Sequence, residues 1–316
     1  RGKGRGQAGA ARMFMELPSK DREKEPSPTY PVVEFDFETS AMQEHQGYRD
    51  VLNVKTLFDA LKEEAGRHEE SPILHHQMSK HVLSRENLYD ATASILASKL
   101  CNEDLPENLL FDKLSQELQD TPKIMSDMVH DLLWIQEVDP ATHGLLQPFL
   151  YFKGFHAVQV QRIGHSLWQR GSPTEKMLAL SLQSRAAEVF GVDAHPGAQL
   201  AHAICLDHAT GVVIGETATL GHSCYILHGV TLGATGKAGT FDRHPKVGNR
   251  VKIGAGAMIL GNIPLENDVV VGAAAIVTIP IKQGETVVGI NRVLSPEAKQ
   301  AAQAAGDTVD TWLYNI

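Results

Sequence analysis

Cysteine is scarce: the 316 residues hold three, Cys101, Cys205 and Cys224, and none forms a CxxC pair. A disulfide framework is therefore excluded, and reduced thiols in a cytoplasmic compartment are the expectation. Long hydrophobic runs are missing too, since none approaches the roughly 20 residues that cross a bilayer. There is no excess of basic charge: 29 Lys and Arg against 38 Asp and Glu leave a net charge of −9. That balance argues against nucleic acid or an anionic membrane as partner of the whole molecule. The C-terminal half also lacks the 3.6 period of an amphipathic helix and the simple alternation of a half-buried strand.

What it has instead is a period of six. Aliphatic residues recur at Ile214, Leu220, Ile226 and Leu232, then at Val247, Ile253, Ile259, Leu265, Val271 and Val277. A second small or aliphatic set lies four places after most of them: Ala218, Cys224, Val230, Val251, Ala257, Ile263, Val269 and Ala275. Short strands joined by tight turns, with one inward side chain per face, produce this spacing, and the expected architecture is a hexapeptide-repeat β-helix. At three hexads to a coil the repeat makes about five coils. Such a prism has no pocket of its own and leaves flat faces exposed. Threefold packing against two further copies would cover those faces and open clefts between subunits.

The rest of the chain divides around this repeat. Residues 1–50 are expected to form an extension without fold, rich in Pro26, Pro28 and Pro31. Its first dozen residues carry four basic groups, four glycines and no acid, which agrees with a cloning remnant, a native arm or an organellar transit peptide. Residues 51–191 read as a helical domain. Asp104-Leu105-Pro106-Glu107 has the spacing of a capping box, and Thr121-Pro122 opens a helix that reaches Val138. One apolar face runs from Phe149 to Trp168 and stops at Gly171, after which Ser172-Pro173 starts a last helix ending near Gly191. The β-helix domain spans 192–290, and residues 234–246 interrupt its hexads as a projecting loop. Residues 291–316 form a short helix, begun by Ser295-Pro296-Glu297, and a polar tail tipped by Trp312, Leu313, Tyr314 and Ile316. The fold class is thus α+β, an all-helical N-terminal domain followed by a left-handed parallel β-helix and a C-terminal tail.

The polar residues crowding the repeat are Asp193, His195, His202, Asp207, His208, Glu216, His222, His228, Arg243 and His244. Asp207-His208-Ala209-Thr210 places charge on coil positions beside a glycine turn. Asp193 precedes His208 by less than one coil of three hexads, so the two are expected as neighbours across a rung. A carboxylate on one imidazole nitrogen frees the other to accept a proton. With no nucleophilic Ser or Cys beside them, the pair suggests a base acting on a substrate hydroxyl.

Four segments then carry a resemblance: KGFHAVQVQRIGHSLW (153–168), VDAHPGAQL (192–200), LDHATGVVIGETATLG (206–221) and VTLGATGKAGTFDRHPKVG (230–248). Over roughly residues 50–290 the chain resembles serine acetyltransferase, which makes O-acetylserine from acetyl-CoA and L-serine on the way to cysteine. The resemblance implies His208 as general base with Asp193 orienting it. It implies Asp139 and Asp207 on the serine ammonium, Arg243 on its carboxylate, and His244 beside the hydroxyl or carboxylate. A zwitterion asks for that layout, and a guanidinium fork suits a carboxylate. It further implies acetyl-CoA along a groove lined by Ala234, Thr235, Gly236, Ala255 and Ala273, with Lys237 near the nucleotide phosphates and no metal. The chain departs from the family at Ala234, at His143, in the Thr240-Phe241 stretch and in Gly289-Ile290-Asn291-Arg292.

The resemblance also implies L-cysteine as a feedback inhibitor, a homotrimer or dimer of trimers, and docking of the terminal Ile316 into O-acetylserine sulfhydrylase. Two other activities use the same prism. A sugar acetyltransferase would not need Arg243 opposite Asp139 and Asp207. A γ-type carbonic anhydrase would hold zinc on three histidines, which His202, His208, His222 and His228 could suggest. A third reading is a non-catalytic sulfhydrylase-binding scaffold, against which His208, Asp193 and His244 all stand.

Overall fold

The computed structural model describes residues 46–68, 70–235 and 242–304. Expectations for residues 1–45, for Gly236 and Lys237, and for the tail with Ile316 lie outside the described residues. The described helices and strands belong to one compact unit.

The helical part consists of α1 (Gln46–Gly66), α2 (Pro72–Met78), a π-helical turn (Ser79–Leu83), α3 (Leu88–Leu100), α4 (Glu107–Asp120), α5 (Pro122–Val138), α6 (Leu146–Tyr151), α7 (Lys153–Arg170) and α8 (Pro173–Phe190). Three details correct the sequence reading. Helix α1 begins at Gln46, inside the segment 1–50 expected to carry no fold. The capping box is not formed: Pro106 is itself the N-cap of α4, and Asn102 Oδ1 closes the preceding turn by accepting the N–H groups of Asp104 and Leu105. The apolar face from Phe149 to Trp168 is two helices, not one, because the backbone turns extended at Phe152. By contrast α8 is capped as its residues dictate, with Ser172 Oγ accepting the Glu175 N–H and Gly191 closing the helix at φ 71°.

After Gly191 the chain winds into a parallel β-helix. Its first turn is β1 (Val192–Ala194), β2 (Gln199–Leu200) and β3 (Ile204–Leu206), and its second is β4 (Val212–Ile214), β5 (Thr219–Leu220) and β6 (Cys224–Ile226). The third is β7 (Thr231–Gly233), β8 (Lys246–Val247) and β9 (Lys252–Ile253), and the fourth β10 (Met258–Leu260), β11 (Pro264–Leu265) and β12 (Val270–Val271). A fifth turn has β13 (Ile276–Val277), a single bridge at Ile281 and β14 (Thr286–Val288). The expected coils are therefore four complete turns and a partial fifth. β15 (Arg292–Val293) pairs antiparallel with β14, and α9 (Pro296–Ala304) follows. Strands of equal rank pair in parallel: β1-β4-β7-β10-β13 form the first face, β2-β5-β8-β11 the second, and β3-β6-β9-β12-β14 the third.

All ten aliphatic residues of the six-residue period are buried, as are the eight of the second set. Each full burial of such a side chain is worth about 1.5–3 kcal/mol, so the repeat itself holds the prism together. The register shows where the pattern breaks. Lys246 pairs with Pro264 and Lys252 with Val270, the step of a regular three-hexad coil. Val192 instead pairs with Val212 and Ile204 with Cys224, so the first coil is longer by two. The two extra residues enter at the corner that holds Asp207 and His208. Thr231 pairs with Met258, a longer step still, because the third turn carries the loop between β7 and β8.

The helices meet the β-helix through a buried ionic cluster. Arg162 of α7 donates to Asp131 of α5 at 2.9 Å and to the carbonyls of Leu200 and Ala201, while Asp131 Oδ1 accepts the Ile204 N–H at 2.8 Å. Burial pushes the Asp131 carboxyl up and the Arg162 guanidinium pulls it back. Trp134 Nε1 donates to the Cys224 carbonyl at 3.2 Å, fixing α5 against β6. Gly154 starts α7 directly on β3: a Cβ there would collide with the Leu206 carbonyl, so only glycine lets the helix approach so closely.

Candidate active site

A triangular prism has three corners per turn, and the polar residues segregate onto them. The corner between the third and first faces carries the lengthened part of the first coil. There His208 and Ala209 both adopt left-handed backbone, at φ 56°, which costs non-glycine residues about 1–2 kcal/mol each. The surroundings hold that conformation. Gly211 N–H donates to the Gly191 carbonyl at 2.7 Å, and Lys153 Nζ donates to Thr210 Oγ1.

The result is an imidazole turned outward: the His208 side chain is 70% exposed, while Asp207 beside it is 15% exposed. Among the described residues no hydrogen bond holds the His208 ring. Asp207 Oδ1 lies 3.7 Å from its Nε2, too far to share a proton, and the His228 ring stands edge-on at 5.9 Å. Asp207 is held from the other side, where Tyr225 Oη donates to its Oδ2 at 2.6 Å. Asp139 is the C-cap of α5, the helix packed on β3; burial and then the charges of Asp207, Asp139 and Asp131 push the Cys205 thiol of β3 well above its ordinary range. Asp139 Oδ1 also accepts the Ala141 N–H at 2.9 Å, which fixes its rotamer.

The corner between the first and second faces carries the second cluster: His195, Glu216, Thr217, Arg243 and His244. Thr217 is its hub. Its Oγ1 accepts the N–H groups of Arg243 and His244 at 3.1 and 3.2 Å, and its own N–H donates to His244 Nδ1 at 3.1 Å. With Nδ1 accepting, the neutral ring carries its proton on Nε2 and offers a donor outward. Burial, then the Arg243 charge, lowers the His244 pKa and keeps that ring neutral. The ring lies against Gly215, where any side chain would strike it. Arg243 Nη2 pairs with Glu216 Oε2 at 3.2 Å. His195 Nδ1 accepts the Gly197 N–H at 2.9 Å, and burial lowers its pKa against the pull of Glu216 and Asp193.

The pairing of Asp193 with His208 is not formed within the chain. Gln183 Nε2 of α8 donates to Asp193 Oδ1 at 2.6 Å, and the coil that carries Asp193 and His208 is longer than the three hexads on which that pairing depends. Nor does one chain join His208 to Arg243 and His244, which sit a face away. Ala255 and Ala273 fall on the same edge as His208, one below another. Backbone bonds from Gly229 to Thr210, Gly256 to His228 and Ala274 to Ala255, each 2.8 Å, run down that edge. Ala234 and Thr235 lie on the other edge, at the base of the loop.

Sequence reasoning missed Tyr225, Thr217 and Gln183. Tyr225 stands one long coil after Cys205, a step that only the strand pairing shows, so nothing in the sequence marks it. Among the described residues of one chain no group of three or more His, Cys, Asp and Glu is placed to hold a metal ion. No described helix is long and apolar enough to cross a membrane.

Fold and corners together define the class: a hexapeptide-repeat β-helix protein with a helical domain ahead of it. Residues 57–160 match the family model described as Serine acetyltransferase, N-terminal. Serine acetyltransferase 3, mitochondrial, of Arabidopsis thaliana is 46% identical over 218 residues, covering 69% of this chain and 55% of that protein. The match thus spans little more than half of that relative's length. Serine acetyltransferase of Haemophilus influenzae is 40% identical over 236 residues, covering 75% of this chain and 87% of that one. Among solved structures, soybean serine acetyltransferase complexed with serine superposes with a TM-score of 0.74 at 41% identity, covering 77% of this chain and 99% of that chain. Serine acetyltransferase structures in complex with CoA and with cysteine superpose at 0.72 and 0.73, with 38% and 39% identity; each covers 76% of this chain, and 100% and 99% of theirs. The chain belongs to the serine acetyltransferase family.

Proposed function

We propose that this chain is a serine O-acetyltransferase, moving the acetyl group of acetyl-CoA to the hydroxyl of L-serine and releasing O-acetylserine and CoA. One observation carries the reading. An exposed imidazole, with no hydrogen bond among the described residues, sits beside the Asp207 carboxylate on one corner, and a guanidinium with an N–H-donating imidazole sits on the next. Those are the ends of an amino acid zwitterion plus a base for its hydroxyl.

The two corners become one site in a trimer. The first face lies between them and presents Asp193, Val213, Thr231, Met258 and Ile276 outward in a single register column, with Val213 and Met258 exposed. If three copies turn this face inward, each vertex brings the Asp207–His208 corner of one copy against the Arg243–His244 corner of its neighbour. Asp139 and Asp207 then take the ammonium, Arg243 exchanges Glu216 for the carboxylate, and His244 Nε2–H donates to the hydroxyl or carboxylate. His208 removes the hydroxyl proton as the oxygen attacks the thioester carbonyl, and returns that proton to the departing thiolate sulfur. Asp193 would orient His208 if Gln183 releases its carboxylate.

The edge of small residues below His208, Ala255 and Ala273, is where acetyl-CoA would lie, with Ala234, Thr235, Gly236 and Lys237 of the neighbouring corner closing over it. Gly256 on the same edge has open space where a Cβ would stand. Cysteine differs from serine by sulfur for oxygen and would compete at the same corners, which makes feedback inhibition part of the proposal. Pairing of two trimers through the helical domain, docking of Ile316 on O-acetylserine sulfhydrylase, and a cytoplasmic address, or an organellar one through a transit peptide within residues 1–50, complete it. Deleting Ile316 should abolish sulfhydrylase binding.

The test is CoA thiol release from acetyl-CoA with L-serine, against amino sugars as acceptors. Serine-dependent release with O-acetylserine as product is the expected result; turnover only with a sugar would replace the substrate.

A further inference from the structure

Tyr225 is not among the residues that the resemblance implies for catalysis, yet it makes the shortest hydrogen bond to the acid at the centre of the first corner. Its ring is buried at 7% exposure on β6, one turn after Cys205, and its hydroxyl donates to Asp207 Oδ2 at 2.6 Å. That distance is in the range of a charge-assisted O–H···O⁻ bond, stronger than a neutral one. The other oxygen, Oδ1, is the one facing His208, at 3.7 Å from Nε2.

A carboxylate on a short side chain turns readily about its last bond. Left to itself beside an exposed imidazole, Asp207 could rotate toward Nε2 and close a direct pair. Both groups would then be occupied with each other. With Oδ2 held from below, the carboxylate plane is set, and Oδ1 and Nε2 stay unpaired, each keeping its open side for a bound group. Serine carries its ammonium and hydroxyl on adjacent carbons, so the two groups have to be met side by side, one by an anion and one by a base. Asp207 and His208 offer that arrangement from consecutive residues.

We infer that Tyr225 is a positioning residue for the amino acid substrate, holding Asp207 so that Oδ1 receives the ammonium while His208 stays free for the hydroxyl. The inference rests on the serine acetyltransferase reading above. It differs from it in assigning the ammonium subsite a support that comes from the next turn of the β-helix.

The test is Tyr225→Phe, which removes only the hydroxyl, measured as steady-state kinetics with each substrate varied in turn. The expected result is a KM for L-serine raised about tenfold, the size of one lost hydrogen bond to a charged group. The KM for acetyl-CoA should stay within twofold and the melting temperature near that of the wild type. On an Asp207→Asn background the same change should add less than twofold, because the charge that Tyr225 holds is already gone. An unchanged serine KM would overturn the inference, and so would an effect that persists in full on the Asp207→Asn background. A loss shared equally by both substrates would reduce Tyr225 to packing and overturn it too. No serine turnover by the wild type would overturn the activity itself, and with it any role for Tyr225 in that reaction.

Discussion

Substituting Gly215 by alanine tests the second corner without touching any group proposed to meet substrate. A Cβ at 215 would fall on the His244 ring, which lies against this glycine. The ring cannot yield cheaply, because its Nδ1 accepts the Thr217 N–H at 3.1 Å and lies 2.9 Å from Thr217 Oγ1. Moving it forfeits both contacts, at about 1 kcal/mol each. The loop backbone keeps its own anchors, the Arg243 and His244 N–H groups on Thr217 Oγ1. Stability should therefore fall by no more than about 2 kcal/mol, a few degrees in melting temperature. The chemistry should suffer more, since a displacement on the order of 1 Å in a positioning group costs roughly 10² in rate. Gly215→Ala should thus lower kcat/KM for serine about 100-fold in a folded oligomer. Thr217→Val, which removes only the hydroxyl, should lower it about tenfold. A Gly215→Ala variant active within threefold of wild type would refute the claim that His244 is held in place for function.

Three further outcomes follow from the same geometry. Mixing and co-refolding His208→Ala with Arg243→Ala should restore activity that neither variant has alone, because some vertices of a mixed trimer pair an intact corner with an intact corner; no recovery would place both residues in one chain's site. Asp193→Asn should lower kcat at least tenfold with serine KM little changed, while Gln183→Ala should not lower it; a drop in the Gln183 variant alone would make that hydrogen bond functional and Asp193 structural. His156 is wholly buried with its pKa lowered to about 3, by burial first and against its hydrogen bond to the Phe149 carbonyl. A histidine that folds neutral binds fewer protons than in the unfolded chain. Its contribution is therefore complete above the unfolded value near 6.5 and shrinks as pH falls toward 3. Unfolding free energy should drop by about 2 kcal/mol from this group between pH 7 and pH 5. A denaturant titration at both values checks it, and a His156→Gln variant with the same pH dependence as wild type would contradict it.

Much of the fold is written in the chain because the hexad is a local rule: each aliphatic side chain from Ile214 to Val277 points inward for the same reason, and the burial of all ten follows. What escaped reading was set by contacts between distant segments. The break at Phe152 leaves the apolar face of α6 and α7 uninterrupted, so periodicity alone joins them. The regular period starts at Ile214, after the two extra residues around His208, so it does not show the lengthened first coil; the pairing of Val192 with Val212 reveals it. The same miscount set Asp193 against His208, when Gln183 from α8 holds that carboxylate. The residues of the candidate site could be named from their motifs, but not that one chain divides them between two corners. That division depends on where the turns fall around the prism.

The most direct test of the account is CoA release with saturating acetyl-CoA and varied L-serine, comparing the wild type with His208→Ala. The account predicts serine-dependent turnover that falls by roughly 10² or more in kcat in the variant, with the trimer intact and serine KM within a few fold. A His208→Ala enzyme that keeps its kcat within fivefold would contradict it and move the base to the exposed His228 of the same edge.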